Sequence, residues 1–179
     1  GNTAHSAAAA TAAFFLGIAA GSYYWGHVLK GTQRPLRLYA LMEFGIAVAA
    51  LLFLAIYAAW DALFPLVYKA FGSSPIALIG LKLVLAIALI CPASFLMGGT
   101  LPVMGQHLIR ESSKLGRQAG WLYGVNTLGA TFGAIAAGFF LPRLLGFTQS
   151  YYIALALSLA VAIVALFLSG SEERVAQSS

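Results

Sequence analysis

The chain has little charge and few of the residues that carry soluble chemistry. Of its 179 residues only 8% are charged, with 10 Lys and Arg against 5 Asp and Glu. A water-soluble domain needs about a quarter of its residues charged to cover its surface. This shortage, with 61% of residues hydrophobic, excludes an ordinary soluble enzyme, a nucleic-acid-binding domain and a disordered tail. Cysteine is equally scarce: Cys91 stands alone beside Pro92 in an apolar run, so it offers neither an internal disulfide nor a thiolate metal framework. Asp61 is the sole aspartate, and there is no G-x-G-x-x-G after a strand, no P-loop and no Ser nucleophile elbow. Without paired carboxylates for acid/base work, no catalytic, cofactor-binding or metal-ligating residues are expected. His27 and His107 fall at one side of the membrane and His5 near the other, isolated from any carboxylate or thiolate at ligand spacing. The first apolar stretch has no basic leader and no cleavage pattern, and it follows Gly1 rather than Met, so the chain reads as starting upstream.

What is present is a series of apolar runs long enough to cross a bilayer, which takes about 20 residues of helix for about 30 Å of hydrocarbon. The fold class read from them is all-α, a polytopic transmembrane bundle. Five spans are expected at about 7–29, 36–60, 75–97 with a kinked extension to 109, 119–141 and 150–168, followed by a polar tail at 171–179. Pro35 and Pro75 sit where a helix tolerates proline, in the first turn, and Ser74 is placed to cap the third helix. Pro92, Gly98, Gly99 and Pro102 predict a kink or break in that helix. Residues 61–72 are too short to span, yet Leu63, Phe64, Val67, Ala70 and Phe71 recur at helical spacing, as in an interfacial helix.

The few charges predict orientation. Lys30, Arg34, Arg37, Arg110, Lys114, Arg117 and Arg174 fall on one side, Lys69 and Arg143 on the other, and Lys82 inside a span. The positive-inside rule then puts the N-terminus outside and the C-terminus in the cytoplasm, with Tyr57, Trp60 and Tyr151 near the outer boundary and Trp25 and Trp121 near the inner one. One further helix upstream would make six spans with both ends cytoplasmic, the layout of half a major facilitator bundle.

Small residues recur four apart at Gly17 and Gly21, at Gly116, Gly120 and Gly124, and at Gly129 and Gly133. Such spacing lets helix backbones approach closely, either within the chain or against a partner. Glu43, Lys82 and Asn126 are the polar side chains inside the spans that need explanation. Glu43 calls for a buried partner, Arg37, Arg117 or a Tyr hydroxyl, or serves a proton or solute. Lys82 has the stem to snorkel outward, and the Asn126 amide either joins two helices or lines a cavity.

Several strings go beyond composition. They are Phe14 to Ser22, Arg34-Pro35-Leu36-Arg37-Leu38-Tyr39-Ala40-Leu41-Met42-Glu43, Leu96 to Pro102, Gly116 to Ala130 with Tyr123-Gly124-Val125-Asn126-Thr127-Leu128-Gly129-Ala130, and Gly138 to Pro142 with Gly146. From Gly1 to about Leu168 the chain resembles the membrane domain of bacterial spermidine-synthase-like proteins, the major facilitator and spermidine synthase fusions. That resemblance implies a bacterial inner-membrane location, a preceding helix, and a cytoplasmic Rossmann-like aminopropyltransferase domain after the last span. In place of that domain stands the polar stretch Ser169 to Ser179, so the activity does not carry over to these residues. The expected function is a non-catalytic anchor or scaffold whose partners are the lipid bilayer and other membrane chains or a cytoplasmic enzyme domain, with no nucleic acid. The alternatives are a half-transporter for a small polar or cationic solute such as a polyamine, and an accessory subunit of a multi-chain membrane complex.

Overall fold

The computed structural model describes residues 3–29, 32–72, 74–109 and 115–178. Lys30, Arg110 and Lys114 of the charge count lie outside the described residues, as do the side chains of His5 and Arg174. The architecture is all-helical: α1 (Thr3–Val28), α2 (Pro35–Phe71), α3 (Pro75–Leu108), α4 (Leu115–Ile135), a π-helical turn (Ala136–Phe140) and α5 (Leu141–Ser178). Four stretches are long and apolar enough to cross a membrane, namely Ser6–Val28, Pro35–Phe71, Ile76–Leu108 and Leu115–Gly170, as in a multi-pass membrane protein. In hydrocarbon a helix is the one open structure that satisfies its own backbone, so continuous apolar sequence becomes continuous helix.

Proline starts two of these helices. Pro35 and Pro75 occupy first-turn positions, where the missing N–H has no intrahelical partner to lose. Ahead of Pro75, the Ala77 N–H donates to Ser74 Oγ at 3.3 Å, a side-chain cap on α3.

One expectation is corrected. Residues 61–72 do not form a separate interfacial helix: α2 continues through Pro65 to Phe71, 37 residues in all and about 55 Å long. Helix α3 runs from Pro75 through Pro92, Gly98, Gly99 and Pro102 to Leu108, over the length expected for the third span with its extension. Between the stretches read as the fourth and fifth spans the helix is interrupted at one residue. The π turn widens the helix just before Pro142, and the chain then reorients at Gly146, whose φ of 82° and ψ of 167° belong to a region that glycine enters at no steric cost. Residues 171–178 of the expected tail continue α5.

Helix α1 packs mainly on α3, and α2 packs on both α3 and α5. One buried cluster joins Leu29, Met42 and Val103, with Trp25, Leu38, Tyr39 and Leu96 against it. A second joins Leu36, Ala40 and Ala165, flanked by Tyr39 and Met104. Helix α4 touches the bundle only lightly, along α3, and none of its residues is buried.

Candidate functional site

The seam between α1 and α3 is built on glycine. A Cβ on Gly17 would collide with the Ser94 side chain, one on Gly21 with the Phe95 carbonyl, and one on Gly98 with the Ile18 carbonyl and the Ser22 amide. A Cβ on Gly99 would meet Trp25 and, at 2.7 Å, the Met42 methyl. Pro102 brings a second device to the same place. Lacking an N–H, it leaves the carbonyl of Gly98, four residues back, without its helical donor. The Ser22 hydroxyl of α1 donates to that carbonyl at 2.7 Å. This explains why α3 survives Pro102 unbroken: a neighbouring helix supplies the missing bond. Ser94, 1% exposed, instead donates back into its own helix, 3.0 Å from the Ile90 carbonyl and 3.2 Å from that of Cys91.

The α2–α5 contact holds the polar junction. Ser158 on α5 donates its hydroxyl to Glu43 Oε2 at 2.9 Å, and its oxygen lies 3.4 Å from the Glu43 carbonyl. The Tyr39 hydroxyl, one turn before Glu43 on α2, also lies within hydrogen-bonding reach of that carboxylate. Of the partners expected for Glu43, the structure therefore brings up a Tyr hydroxyl. It adds Ser158, for which the sequence carried no spacing signal. Further along the same contact, the Tyr151 hydroxyl donates to the Ala50 carbonyl at 2.7 Å while its ring stacks on Phe53 at 6.0 Å. Two hydroxyl donors from separate helices can hold a carboxylate in an apolar seam, and the same group of oxygens can receive a proton or a small cation.

Lys82 and Asn126 do not join this junction. Both are exposed, and no hydrogen bond or ion pair among the described residues links them to Glu43. At the end of α1, the His27 ring nitrogen Nδ1 lies 2.9 Å from the Tyr23 carbonyl, a bond within its own helix. Two polar atoms are buried without a hydrogen-bond partner among the described residues, Trp25 Nε1 and Gln118 Oε1.

The glycines divide by helix. Gly17 and Gly21 are closed against α3, whereas a Cβ on Gly116, Gly120, Gly124, Gly129 or Gly133 would meet nothing within 4 Å. Close internal packing therefore holds for α1 and is absent for α4. Thr127 and Thr131 bond back to the carbonyls of Tyr123 and Thr127, each at 2.8 Å, whereas the Asn126 amide has no hydrogen bond among the described residues. Where α4 leaves α3, a groove of about 370 Å³ opens, lined by Ser22, Leu101, Pro102, Gly105, Ile109, Ala119, Leu122 and Tyr123. Asn126 follows Ala119 by seven residues and Tyr123 by three, so it continues the groove-lining face of α4 beyond the groove.

No family model, curated protein or solved structure matches this chain.

Proposed function

We propose that this chain is a non-catalytic integral membrane module that anchors or scaffolds an enzyme or a larger membrane complex. On this reading it contributes five spans of a six-helix, major-facilitator-half-like unit in a bacterial inner membrane, with its N-terminus outside and its C-terminus cytoplasmic. Its sequence strings resemble the membrane part of a spermidine-synthase-like protein. One observation carries the reading: α4 stands away from the bundle with its glycines open and the Asn126 amide without a hydrogen bond among the described residues. In a bilayer such a face gains by packing against another helix, where small residues allow close approach and the amide finds a donor or acceptor.

Cysteine cross-linking in native membranes tests it, with Cys91 replaced by Ala and single cysteines placed along α4. Cysteines at 126, 129 and 133 should form adducts with another chain, and Asn126→Leu should weaken adduct formation at 129. A chain that stays free at all three positions in its native membrane contradicts the scaffold reading. Aminopropyl transfer by the purified chain alone contradicts its non-catalytic part.

A second reading is favoured by a specific observation, the junction of Glu43 with Tyr39 and Ser158. It is a half-transporter for a small polar or cationic solute, a polyamine among them, in which Glu43 faces the pathway formed by two copies. Under this reading Glu43→Gln abolishes solute uptake into proteoliposomes, and unchanged uptake removes its support.

A further inference from the structure

We propose that the junction of Glu43, Tyr39 and Ser158 is a sodium site, and that the bound ion clamps α2 to α5. Glu43 lies three residues after Ala40 and four before Ala47, both buried, so its side chain leaves α2 on the packed face. On α5, Ser158 comes four residues before the buried Ala162. Small residues let the two backbones approach, and the polar oxygens of both helices converge between them.

Charge calls for an occupant. Glu43 follows Pro35, the start of α2, by eight residues in a stretch apolar enough to span, and no basic side chain among the described residues pairs with it. The hydroxyls of Ser158 and Tyr39 offer it hydrogen bonds but cancel none of its charge. A carboxylate in apolar surroundings is costly until a positive partner neutralises it.

The spacing of the oxygens separates a metal ion from a proton. A proton needs one pair of oxygens, and the 2.9 Å between Ser158 Oγ and Glu43 Oε2 supplies it. The second separation, 3.4 Å from Ser158 Oγ to the Glu43 main-chain carbonyl, exceeds the range of about 2.5–3.0 Å for a good O–H···O bond. It fits neighbouring ligands of one ion instead: oxygens about 2.3–2.6 Å from a metal and at right angles to each other lie about 3.3–3.7 Å apart. Those metal–oxygen lengths are calcium's, and sodium has nearly the same radius. Charge chooses between the two, because one carboxylate neutralises sodium and leaves calcium with a net charge in the seam. Asp61, the other acidic residue of α2, stands 18 residues further on, about 27 Å along the helix.

On binding, the Ser158 hydroxyl turns its proton back to the Ala154 carbonyl, a bond open to a helical serine, and presents its lone pairs to the ion. Glu43 Oε2, Ser158 Oγ, the Glu43 carbonyl and the Tyr39 oxygen then face it from two helices. Water from the start of α2, about 12 Å away, completes the shell. The clamp does not rest on the transport reading: a chain that moves no solute still binds the ion, and binding is read without any solute.

The test titrates the full chain, purified in detergent and choline chloride, with radioactive sodium. One ion should bind per chain, displaced by unlabelled sodium, more weakly by the larger potassium ion and not by choline. Glu43→Gln should abolish binding. Ser158→Ala should weaken it at least about tenfold, since contacts to a charged group exceed neutral ones, while Ser158→Thr keeps the oxygen and should retain it. At constant ionic strength sodium should raise the unfolding midpoint of the wild type and leave that of Glu43→Gln where it was. A wild type that binds no sodium overturns the proposal, as does undiminished binding in folded Glu43→Gln or Ser158→Ala. So does a midpoint that follows pH but is the same in sodium and choline, which makes the occupant a proton.

Discussion

Ser22→Ala should weaken the α1–α3 seam by about 1–2 kcal/mol, and Pro102→Ala should erase most of that cost. The magnitude comes from two bounds. Hydrogen bonds between side chains of membrane helices average about 0.6 kcal/mol and reach about 1.7. A buried acceptor left with no donor costs about 1–3 kcal/mol. Gly98 is buried, and Pro102 has no N–H to offer its carbonyl, so removing the Ser22 hydroxyl takes away the donor that the structure supplies. With alanine at 102, the restored backbone N–H bonds to Gly98 within the helix, and Ser22 becomes dispensable there. The double-mutant cycle cancels the general gain in helix propensity from removing proline. Reversible unfolding in mixed micelles provides the assay, followed by tryptophan fluorescence, since Trp25 lies against Gly99 on this seam. A Ser22→Ala cost that is the same in both backgrounds, within about 0.5 kcal/mol, would refute the coupling between Ser22, Gly98 and Pro102.

Other substitutions probe the remaining contacts. Gly21→Ala places its methyl group against the Phe95 carbonyl, a backbone group that cannot swing aside, and should cost about 1–3 kcal/mol in the same unfolding assay. Gly120→Ala meets no atom and should stabilise the isolated chain by up to about 1 kcal/mol through helix propensity; under the scaffold reading it also reduces cross-linking from α4. Tyr151→Phe keeps the ring on Phe53 but loses the bond to Ala50, a loss of about 0.6–1.7 kcal/mol measurable by chemical unfolding. Glu43→Gln retains an acceptor for Ser158 while removing a charge from an apolar seam, and should leave the unfolding midpoint unchanged or raised. Glu43→Leu deprives Ser158 of its side-chain acceptor and should lower that midpoint.

The helix starts at Pro35 and Pro75 were legible because proline acts locally, on its own N–H and on the residue before it. Long apolar runs likewise announced helices, since hydrocarbon leaves the backbone few alternatives. The extension of α2 to Phe71 was harder to read. Leu63, Phe64, Val67, Ala70 and Phe71 have helical spacing whether they continue a helix or begin a new one, and the charged Asp61 and Lys69 do not end the helix that contains them. Glycine spacing marked two ridges without telling them apart: Gly17 and Gly21 are closed by α3, while Gly120, Gly124, Gly129 and Gly133 are open. Which ridge finds a partner depends on how helices distant in sequence arrange themselves. For the same reason Ser158 gave no signal, standing 115 residues from Glu43. The bond between Ser22 and Gly98 was half visible, because Pro102 frees the carbonyl four residues earlier, but the donor lies 76 residues away.

The carbonyl freed by Pro102 also bears on the order of assembly. Helix α1 is synthesised first and leaves the ribosome well before α3, so the hydroxyl of Ser22 is already in the bilayer when Gly98 arrives with an unmatched oxygen. Lipid tails offer that oxygen no donor. From insertion onward α3 therefore carries a defect that α1 repairs in one lengthwise alignment, the one that sets Ser22 opposite Gly98 and Gly21 opposite Phe95. Glycine grooves alone tolerate sliding by a turn; a single unmatched carbonyl does not. The proline that looks like a flaw in α3 thus acts as an address label, telling the helix where along its neighbour to stop.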